Sequence, residues 1–252
     1  MNKLFAAGLL AFGFLGTSTQ AFETAQPVNA TAIDHVPFVI NKSGNYYLKD
    51  DLTSNVPGVA ITVNANQVVI DLNGRSLVAA GTATSPNVGI GIAVLNHEDV
   101  VIQNGDIDKF GAFGILLDAT DKAREHNQKN RLQRLNFNSD RIGVLVISGS
   151  IDVVEDCDFD GGSVGIYDIA SLGGDRFQKD NFENQRGSES LNLGVGVLST
   201  PGNGTLTEDC LFADDQTAGV IAQGAKDRLR FNSFVNNGAT HLGGLSLGLA
   251  DN

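Results

Sequence analysis

The feature that most constrains the fold is a repeated glycine followed by a branched apolar residue. Seven such glycines lie 22 to 33 residues apart along the chain: Gly58, Gly91, Gly114, Gly143, Gly165, Gly194 and Gly219. Between them, short segments rich in Val, Ile and Leu alternate with Gly, Asn and Asp, which is the composition of short strands and turns. Strands that recur at this interval without an intervening helix predict a solenoid in which each coil adds one strand to several parallel sheets.

A second repeated position carries phenylalanine. Five consecutive repeats contain a segment that ends in this residue, as in VEDCDF (Val154–Phe159) and TEDCLF (Thr207–Phe212); the phenylalanines are Phe137, Phe159, Phe182, Phe212 and Phe234. Corresponding side chains of adjacent coils lie about 4.8 Å apart, so we predict an interior stack of five rings. The sequence therefore predicts one all-β domain, a right-handed parallel β-helix of about seven to eight coils.

Two early segments carry a resemblance to a known superfamily. ITVNANQVVIDLNG (Ile61–Gly74) and VGIGIAVLNHEDVVIQNGDI (Val88–Ile107) resemble the opening coils of right-handed parallel β-helix proteins of the pectate-lyase-like superfamily. INKSGNYYLKDDL (Ile40–Leu52) resembles the segment that precedes their first coil. The resemblance covers about residues 36–238. It implies the fold but no single activity, because the superfamily includes lyases, hydrolases, epimerases, adhesins and non-catalytic proteins.

The first residues have the layout of a secretory signal peptide. Lys3 precedes an apolar run from Leu4 to Leu15, and small and polar residues follow up to Ala21. We therefore predict cleavage near Ala21 and a secreted or periplasmic protein. The remaining boundaries are a lead-in and cap over 22–57, the β-helix over 58–238, and a C-terminal strand or cap over 239–252. No later stretch has the roughly 18 consecutive apolar residues of a membrane span.

Charge limits the partners. The formal net charge is −12 at pH 7, which disfavours nucleic acid because its phosphates would be repelled. Acidic polysaccharides would also be repelled unless a local basic patch or a bound cation overrides the mean field.

The chain contains two cysteines, Cys157 and Cys210, at the same position of their repeats. Since one coil lies between them, their spacing is about 9.6 Å by strand separation. A disulfide needs Cα atoms closer than about 7 Å, and two thiols so far apart cannot share one tetrahedral ion. We expect two buried, free thiols and no metal site.

Charges alternate at the position three residues before each phenylalanine. Successive repeats have Arg134, Asp156, Lys179 and Asp209 there. This pattern predicts ion pairs between adjacent coils, each contributing about 0.2–1 kcal/mol.

Carboxylates near two corners are candidates for carbohydrate chemistry, the activity common among enzymes of the resembling superfamily. Asp214 and Asp215 lie near Asp158 and Asp160 in the predicted fold, and Arg228 follows one coil later. A lyase would use such carboxylates to hold Ca²⁺ and the arginine to abstract a proton, whereas an inverting hydrolase would need two carboxylates about 6.5–9.5 Å apart. A solvated turn contains the same residues, and the Gly-His-Gly segment of polygalacturonase-like hydrolases is missing.

The strand after each repeated glycine predicts one outward column without charge: Ala60, Ala93, Leu116, Leu145, Tyr167, Gly196 and Ile221. Such a column suggests a face covered by a terminal arm, a long loop or a second copy of the chain, and hence a homo-oligomer through this stripe. Tyr167 is also a candidate substrate-binding residue. Asp118 and Asp168 are the nearest carboxylates; Asp168 is predicted to point inward, as a catalytic acid with a raised pKa or as a carboxyl satisfied by a corner amide.

One polar segment departs from the repeat. DKAREHNQKNRLQR (Asp121–Arg134) is interpreted as a loop that concentrates basic residues, among them Lys122, Arg124, Lys129 and Arg131. It is either a docking patch for acidic sugars or a solvated loop.

Two functions of different classes follow. One is a carbohydrate-active protein that binds or cleaves an extracellular polysaccharide, as a lyase or a glycoside hydrolase if it is an enzyme. The other is a non-catalytic surface, adhesion or assembly module that uses its apolar outer face.

Overall fold

A computed structural model describes residues 29–55, 57–81, 89–120, 129–147, 151–169, 173–187, 193–200, 204–224, 226–239 and 241–242. The predictions for the signal peptide, for Lys122 and Arg124, and for most of the C-terminal segment lie outside these residues. Every regular element in the described ranges is a β-strand. No helix there has the length and apolar character needed to cross a bilayer.

The strands are numbered in chain order and form two parallel sheets. The larger sheet begins with a surface that we call face 1. Its strands are β1 (Thr31–Ile33), β3 (Gly44–Leu48), β6 (Val68–Ala79), β8 (Val101–Asp108), β10 (Arg131–Asn138), β12 (Val153–Glu155), β15 (Arg176–Gln178), β18 (Leu206–Glu208) and β21 (Arg228–Arg230).

The same sheet bends around a corner into face 2, because β6, β8 and β10 are long enough to cross both faces. Face 2 is completed by β4 (Leu52–Ser54), β13 (Asp158–Asp160), β16 (Asn181–Glu183), β19 (Leu211–Ala213) and β22 (Ser233–Val235).

The second sheet is face 3. Its nine strands are β2 (Phe38–Ile40), β5 (Val59–Val63), β7 (Ile90–Leu95), β9 (Phe113–Asp118), β11 (Ile142–Ile147), β14 (Val164–Ile169), β17 (Val195–Ser199), β20 (Ala218–Ala222) and β23 (His241–Leu242). The chain visits the three faces in turn, and each strand pairs in parallel with its counterpart one coil away. The predicted all-β parallel solenoid is therefore confirmed, while its handedness and coil number stay predictions.

Pairing begins before the segment predicted to open the β-helix. β3 pairs with β6 and β2 pairs with β5, so that residues of the predicted lead-in already form the edges of both sheets. The polar loop also ends earlier than predicted, since β10 begins at Arg131. Strand propensity in Leu132, Leu135 and Phe137 extends this strand backward over polar residues.

The register corrects two of the seven glycine positions. Ile92 pairs with Ile61, not with Val59, and Ile166 pairs with Val197, not with Val195. The glycines predicted at positions 58 and 194 are therefore outside the repeated column, which contains Ala60, Gly91, Gly114, Gly143, Gly165, Gly196 and Gly219. Thr62 and Leu198 consequently replace Ala60 and Gly196 in the outward column.

The predicted phenylalanine stack is confirmed. Neighbouring rings, in order from Phe137 to Phe234, have centroids 4.6, 4.8, 4.8 and 5.0 Å apart, and their planes differ by at most 11°. The glycine column of face 3 makes room for these rings. A Cβ at Gly165 would lie 2.5 Å from Cδ1 of Phe182, a distance that no real Cβ tolerates. The repeated glycine therefore exists to accept the ring of the next coil.

Removal of one ring from the middle of this stack should be costly. Phe182 is fully buried between Phe159 and Phe212, so Phe182→Ala is expected to lower the free energy of unfolding by about 3–5 kcal/mol. Phe231→Ala is the matched control, because this ring is 66% exposed. Equal losses for both variants, measured by chemical denaturation, would contradict the stack as a source of stability.

Candidate functional site

The corners between the faces determine which polar side chains point into the solenoid. Between faces 1 and 2, each coil turns through a residue in the left-handed region, with φ between 52° and 61°: Asn73, Asn104, Arg134, Asp156, Lys179, Asp209 and Phe231. The corner between faces 2 and 3 turns at Lys109, Ser139, Gly161, Asn184, Asp214 and Asn236. The corner between faces 3 and 1 turns at Gln67, Asp99, Lys129, Ile151, Gly174 and Gly204. Asn, Asp and Gly adopt this conformation most readily.

The residue after a left-handed corner points into the solenoid, and many of these residues are polar. Their side-chain oxygens accept the backbone N–H of the equivalent residue one coil earlier. We call this set of hydrogen bonds the corner ladder. The acceptors, with donor–acceptor distances of 2.6–3.1 Å, are Asn130, Asp140, Asp152, Asp175, Asp180, Asp215, Asp227, Asn232 and Asn237. Each bond satisfies an N–H that the corner removes from the sheet.

The predicted ion pairs between coils are not found among the described residues. Arg134, Asp156, Lys179 and Asp209 occupy left-handed corner positions, and none of them is in a salt bridge there. Arg134 instead donates to the side-chain oxygen of Asn104 at 2.7 Å. The alternating charges thus project from corners, where conformation and solvation determine the residue type.

Two of the predicted catalytic carboxyls have raised pKa values. Burial is the main cause for both: it raises the pKa of Asp168 to about 7 and that of Asp215 to about 8. Each residue is only 1% exposed. Because a general acid must come within hydrogen-bond reach of its substrate, neither carboxyl contacts a polysaccharide in this conformation.

Asp168 belongs to a polar cluster inside the corner between faces 3 and 1. Its Oδ2 accepts the hydroxyl of Thr205 at 2.6 Å, while its Oδ1 has no described partner. Repulsion by Asp175 and Asp227 adds to the effect of burial on its pKa. Asp227 accepts the N–H of Thr205 and the hydroxyl of Ser199. The sequence predicted an inward Asp168, but not the residues around it.

The remaining predicted catalytic residues are dispersed. Asp118 ends β9 on the outside of face 3 and accepts the N–H of Thr120. Asp214 is exposed at the corner between faces 2 and 3, and Arg228 lies on the outside of face 1.

The calcium hypothesis required Asp158 and Asp160 to approach Asp214 and Asp215. Asp158 and Asp160 lie on the outside of face 2, and Asp215 points inward. Within the described ranges, no group of three or more His, Cys, Asp or Glu residues is arranged to hold a metal ion.

The outward column of face 3 is apolar but mostly inaccessible. Ala93 is fully buried, and Leu116, Leu145 and Leu198 are 9%, 5% and 8% exposed. They form a second hydrophobic cluster, against which Tyr167 packs from its place between Leu145 and Leu198. The prediction of a covered face agrees with this burial, whereas an oligomer through the stripe stays a prediction. These residues do not offer an open apolar surface.

Face 1 has the most distinctive polar exterior. One outward column is Arg131, Val153, Arg176, Leu206 and Arg228, with arginine in every second coil. The column beside it is Gln133, Glu155, Gln178, Glu208 and Arg230. We call the surface formed by these ten residues the arginine face. It brings together two residues that the sequence assigned to different roles, Arg131 and Arg228, and Lys129 lies at the corner that leads into it.

Hydrogen bonds between coils connect the two columns of the arginine face. Arg131 pairs with Glu155 one coil later, and Arg176 pairs with Glu208 at 2.8 Å. The arginine side chains remain 47% and 46% exposed, while both glutamates are 14% exposed. Gln178 donates to Glu155 at 2.7 Å. The surface therefore presents guanidinium groups at regular intervals, separated by the aliphatic side chains of alternate coils.

Sequence reasoning missed the corner ladder and the arginine face. A usable signal for the ladder was the recurrence of a polar residue or glycine before an inward aspartate, as in Ser139-Asp140, Lys179-Asp180 and Asp214-Asp215. The arginine face had no such signal, because insertions of different length separate its arginines.

The sequence matches no model of a known protein family and no curated protein. Functional assignment therefore depends on the fold and on the chemistry of its surfaces.

The two thiols are free and buried, as predicted. Burial raises the pKa of both thiols, with Asp180 adding a repulsive contribution. We therefore expect neither cysteine of the folded protein to react with a water-soluble disulfide reagent at pH 8, and both to react in denaturant. Rapid labelling of the native protein would show that the interior is open at this corner.

Proposed function

We propose that this protein is a non-catalytic β-helix of the pectate-lyase-like kind that binds an extracellular polysaccharide along its arginine face. The observation that carries the proposal is the regular exterior of face 1, where exposed guanidinium groups alternate with aliphatic side chains. A sugar ring has polar hydroxyl edges and apolar faces, and an extended polysaccharide repeats both along its length. A surface with the same alternation suits such a chain.

Charge also favours this surface. The ten residues of the arginine face include Arg131, Arg176, Arg228 and Arg230 but only two carboxylates, in a protein of net charge −12. Arg228 and Arg230 have no ion pair with another described residue. Guanidinium groups donate bidentate hydrogen bonds to carboxylates. A uronate-containing polysaccharide is therefore the preferred ligand, and the arginine face is the local basic patch that overcomes the mean repulsion.

We propose that the protein is not catalytic because its candidate carboxyls are buried, dispersed or paired with arginines. Asp168 and Asp215 are inside the solenoid, Asp118 and Asp214 lie on separate faces or corners, and Glu155 and Glu208 are engaged by arginines. A lyase or hydrolase needs its acid and base on the two sides of one bound sugar. The catalytic residues predicted from the sequence supply no such pair. The proposed signal peptide at residues 1–21 supports an extracellular location.

Binding should depend on the arginines and not on overall charge. We expect Arg176→Ala to weaken binding to a soluble uronate-containing polysaccharide about tenfold, which corresponds to ~1.4 kcal/mol. Arg131→Ala combined with Arg176→Ala should weaken it further. The measurement is isothermal titration calorimetry at low ionic strength, since these contacts are screened by salt. Arg186→Ala is the charge-matched control, because this exposed arginine lies beyond face 2.

A panel of polysaccharides distinguishes the binding proposal from an enzyme and from an assembly module. Wild-type protein is incubated with uronate-containing and neutral polysaccharides, with and without Ca²⁺, and assayed for unsaturated products and new reducing ends. Turnover would replace the proposal by an enzyme. Binding that is unchanged in the double arginine variant would place the ligand on another surface. Absence of binding, together with a mass that grows with protein concentration, would favour the assembly module.

A further inference from the structure

The corner ladder contains two kinds of side chain that occupy equivalent positions. Asn232 follows the same corner as Asp180, two coils later, and Asn237 follows the same corner as Asp215, one coil later. Each asparagine uses both polar atoms. Its Oδ1 accepts the backbone N–H of the previous coil, and its Nδ2 donates to a backbone carbonyl of that coil. The acceptors are Thr207 for Asn232 and Phe212 for Asn237, both at 2.9 Å.

The aspartates reproduce only the first of these bonds. Oδ1 of Asp180 accepts the N–H of Cys157 at 2.9 Å, and Oδ1 of Asp215 accepts that of Gln185 at 3.1 Å. Oδ2 of both residues is buried without a partner. Asp140 and Asp152 show the same arrangement, with one oxygen bonded to an N–H and the other unpaired.

Register indicates what faces the unpaired oxygens. Thr207 and Phe212 lie three residues before the ladder donors Cys210 and Asp215. The carbonyls at the equivalent places are those of Val154, three residues before Cys157, and of Phe182, three residues before Gln185. A carbonyl is an acceptor, so that an ionised carboxylate oxygen placed against it would be repelled. A protonated carboxyl supplies the missing donor.

We propose that the ladder aspartates Asp140, Asp152, Asp180 and Asp215 are neutral acids in the folded protein, and that Asp180 and Asp215 donate their protons to the backbone carbonyls of Val154 and Phe182 in the preceding coil. Every one of them takes up one proton from solvent when the chain folds near neutral pH, because the same carboxyl is ionised in the unfolded chain. The solenoid is thereby an acid-stabilised fold, whose ladder loosens as the pH rises.

The charged groups around these carboxyls favour the neutral form. Asp180 is flanked by the thiols of Cys157 and Cys210 and by the carboxylates of Asp156 and Glu155, and its chain neighbour Lys179 is exposed.

The other three ladder aspartates have similar surroundings. Asp215 faces Asp214 and Glu183, and Asp152 faces Asp175 and Asp168. Asp140 faces Asp108, and its chain neighbour is Arg141. Burial is the largest cause that raises the pKa of all four carboxyls, and these like charges raise it further.

Asp227 is the internal contrast. It also belongs to the ladder, but both of its oxygens receive donors. Oδ1 accepts the N–H of Thr205, and Oδ2 accepts the N–H of Gly224 and the hydroxyl of Ser199. Asp227 therefore lacks the unpaired oxygen on which the proposal depends, and it is excluded.

The sign of the pH effect follows from proton binding. A carboxyl whose folded pKa lies above its unfolded value binds its proton more tightly in the folded state, so its contribution is complete below about pH 4. The contribution is lost as the pH rises toward the folded pKa, which is about 8 for Asp215. Between these limits, Asp215 makes the unfolding equilibrium constant increase about tenfold per pH unit, and the raised pKa values of Asp140, Asp152 and Asp180 act in the same direction.

The test compares Asp180→Asn and Asp215→Asn with two exposed corner variants, Asp209→Asn and Asp214→Asn, each of which also removes one carboxyl. Asp214 directly precedes Asp215, and Asp209 occupies the same corner position as Lys179, one coil later. Equilibrium unfolding of the full chain is measured from pH 5 to pH 8, together with proton uptake on refolding at pH 6. Wild type should take up about one proton for each of the four proposed carboxyls, in addition to the contribution of Asp168, which is the same in every variant. Each ladder variant should take up about one proton fewer than wild type. Its unfolding equilibrium constant should increase less steeply with pH, by about a factor of ten per pH unit. The control variants should match wild type in both measurements.

Infrared spectroscopy of the folded protein at pH 7 gives a second measurement that needs no unfolding. The carbonyl stretch of protonated carboxyl groups should be present in wild type and both controls, and weaker in Asp180→Asn and Asp215→Asn. Absence of this band from wild type would overturn the proposal. So would a proton uptake that the ladder variants leave unchanged.

Discussion

A solenoid of this shape depends on turning the chain three times per coil without leaving an inward N–H unpaired. The corners achieve this with a left-handed residue followed by an inward polar side chain, as in Asp214-Asp215. The side chain restores the hydrogen bond that the sheet loses at the bend, and it does so between coils. The same contact therefore makes the corner and sets the register of the next coil, on which the phenylalanine stack and its glycine column depend.

This arrangement separates the protein's acids into two populations. Those inside, such as Asp180, serve the backbone and are removed from any substrate. Those outside remain in contact with solvent, and Glu155 and Glu208 of the arginine face are paired with arginines. A raised pKa in this fold is consequently a sign of structural burial. Asp215 was a catalytic candidate because it lies near a corner, but its side chain instead accepts a backbone N–H in the corner ladder.

Sequence periodicity was sufficient for the parallel solenoid, the phenylalanine stack and the free thiols, because each of these repeats one residue type at nearly constant spacing. It failed where coils differ in length. Gly58 and Gly194 fitted the glycine pattern, although the register uses Ala60 and Gly196. The arginine face could not be predicted for the same reason. Arg131, Arg176 and Arg228 fall into one column of the sheet, but insertions of different length separate them in the sequence.

The stack of rings has a consequence for how such a gene can change in length. Phe137 is followed by coils that offer the same ring to the same glycine slot, whereas the preceding coils place Leu77 and Ile107 there. Consider an in-frame duplication of one coil from the part that carries the phenylalanines, such as residues 156–178. The inserted coil would contain a phenylalanine ring, a glycine that accommodates a ring and a ladder carboxyl, all of which match the coils on either side. Duplication of a coil should therefore be tolerated best in the part of the molecule that carries the phenylalanines.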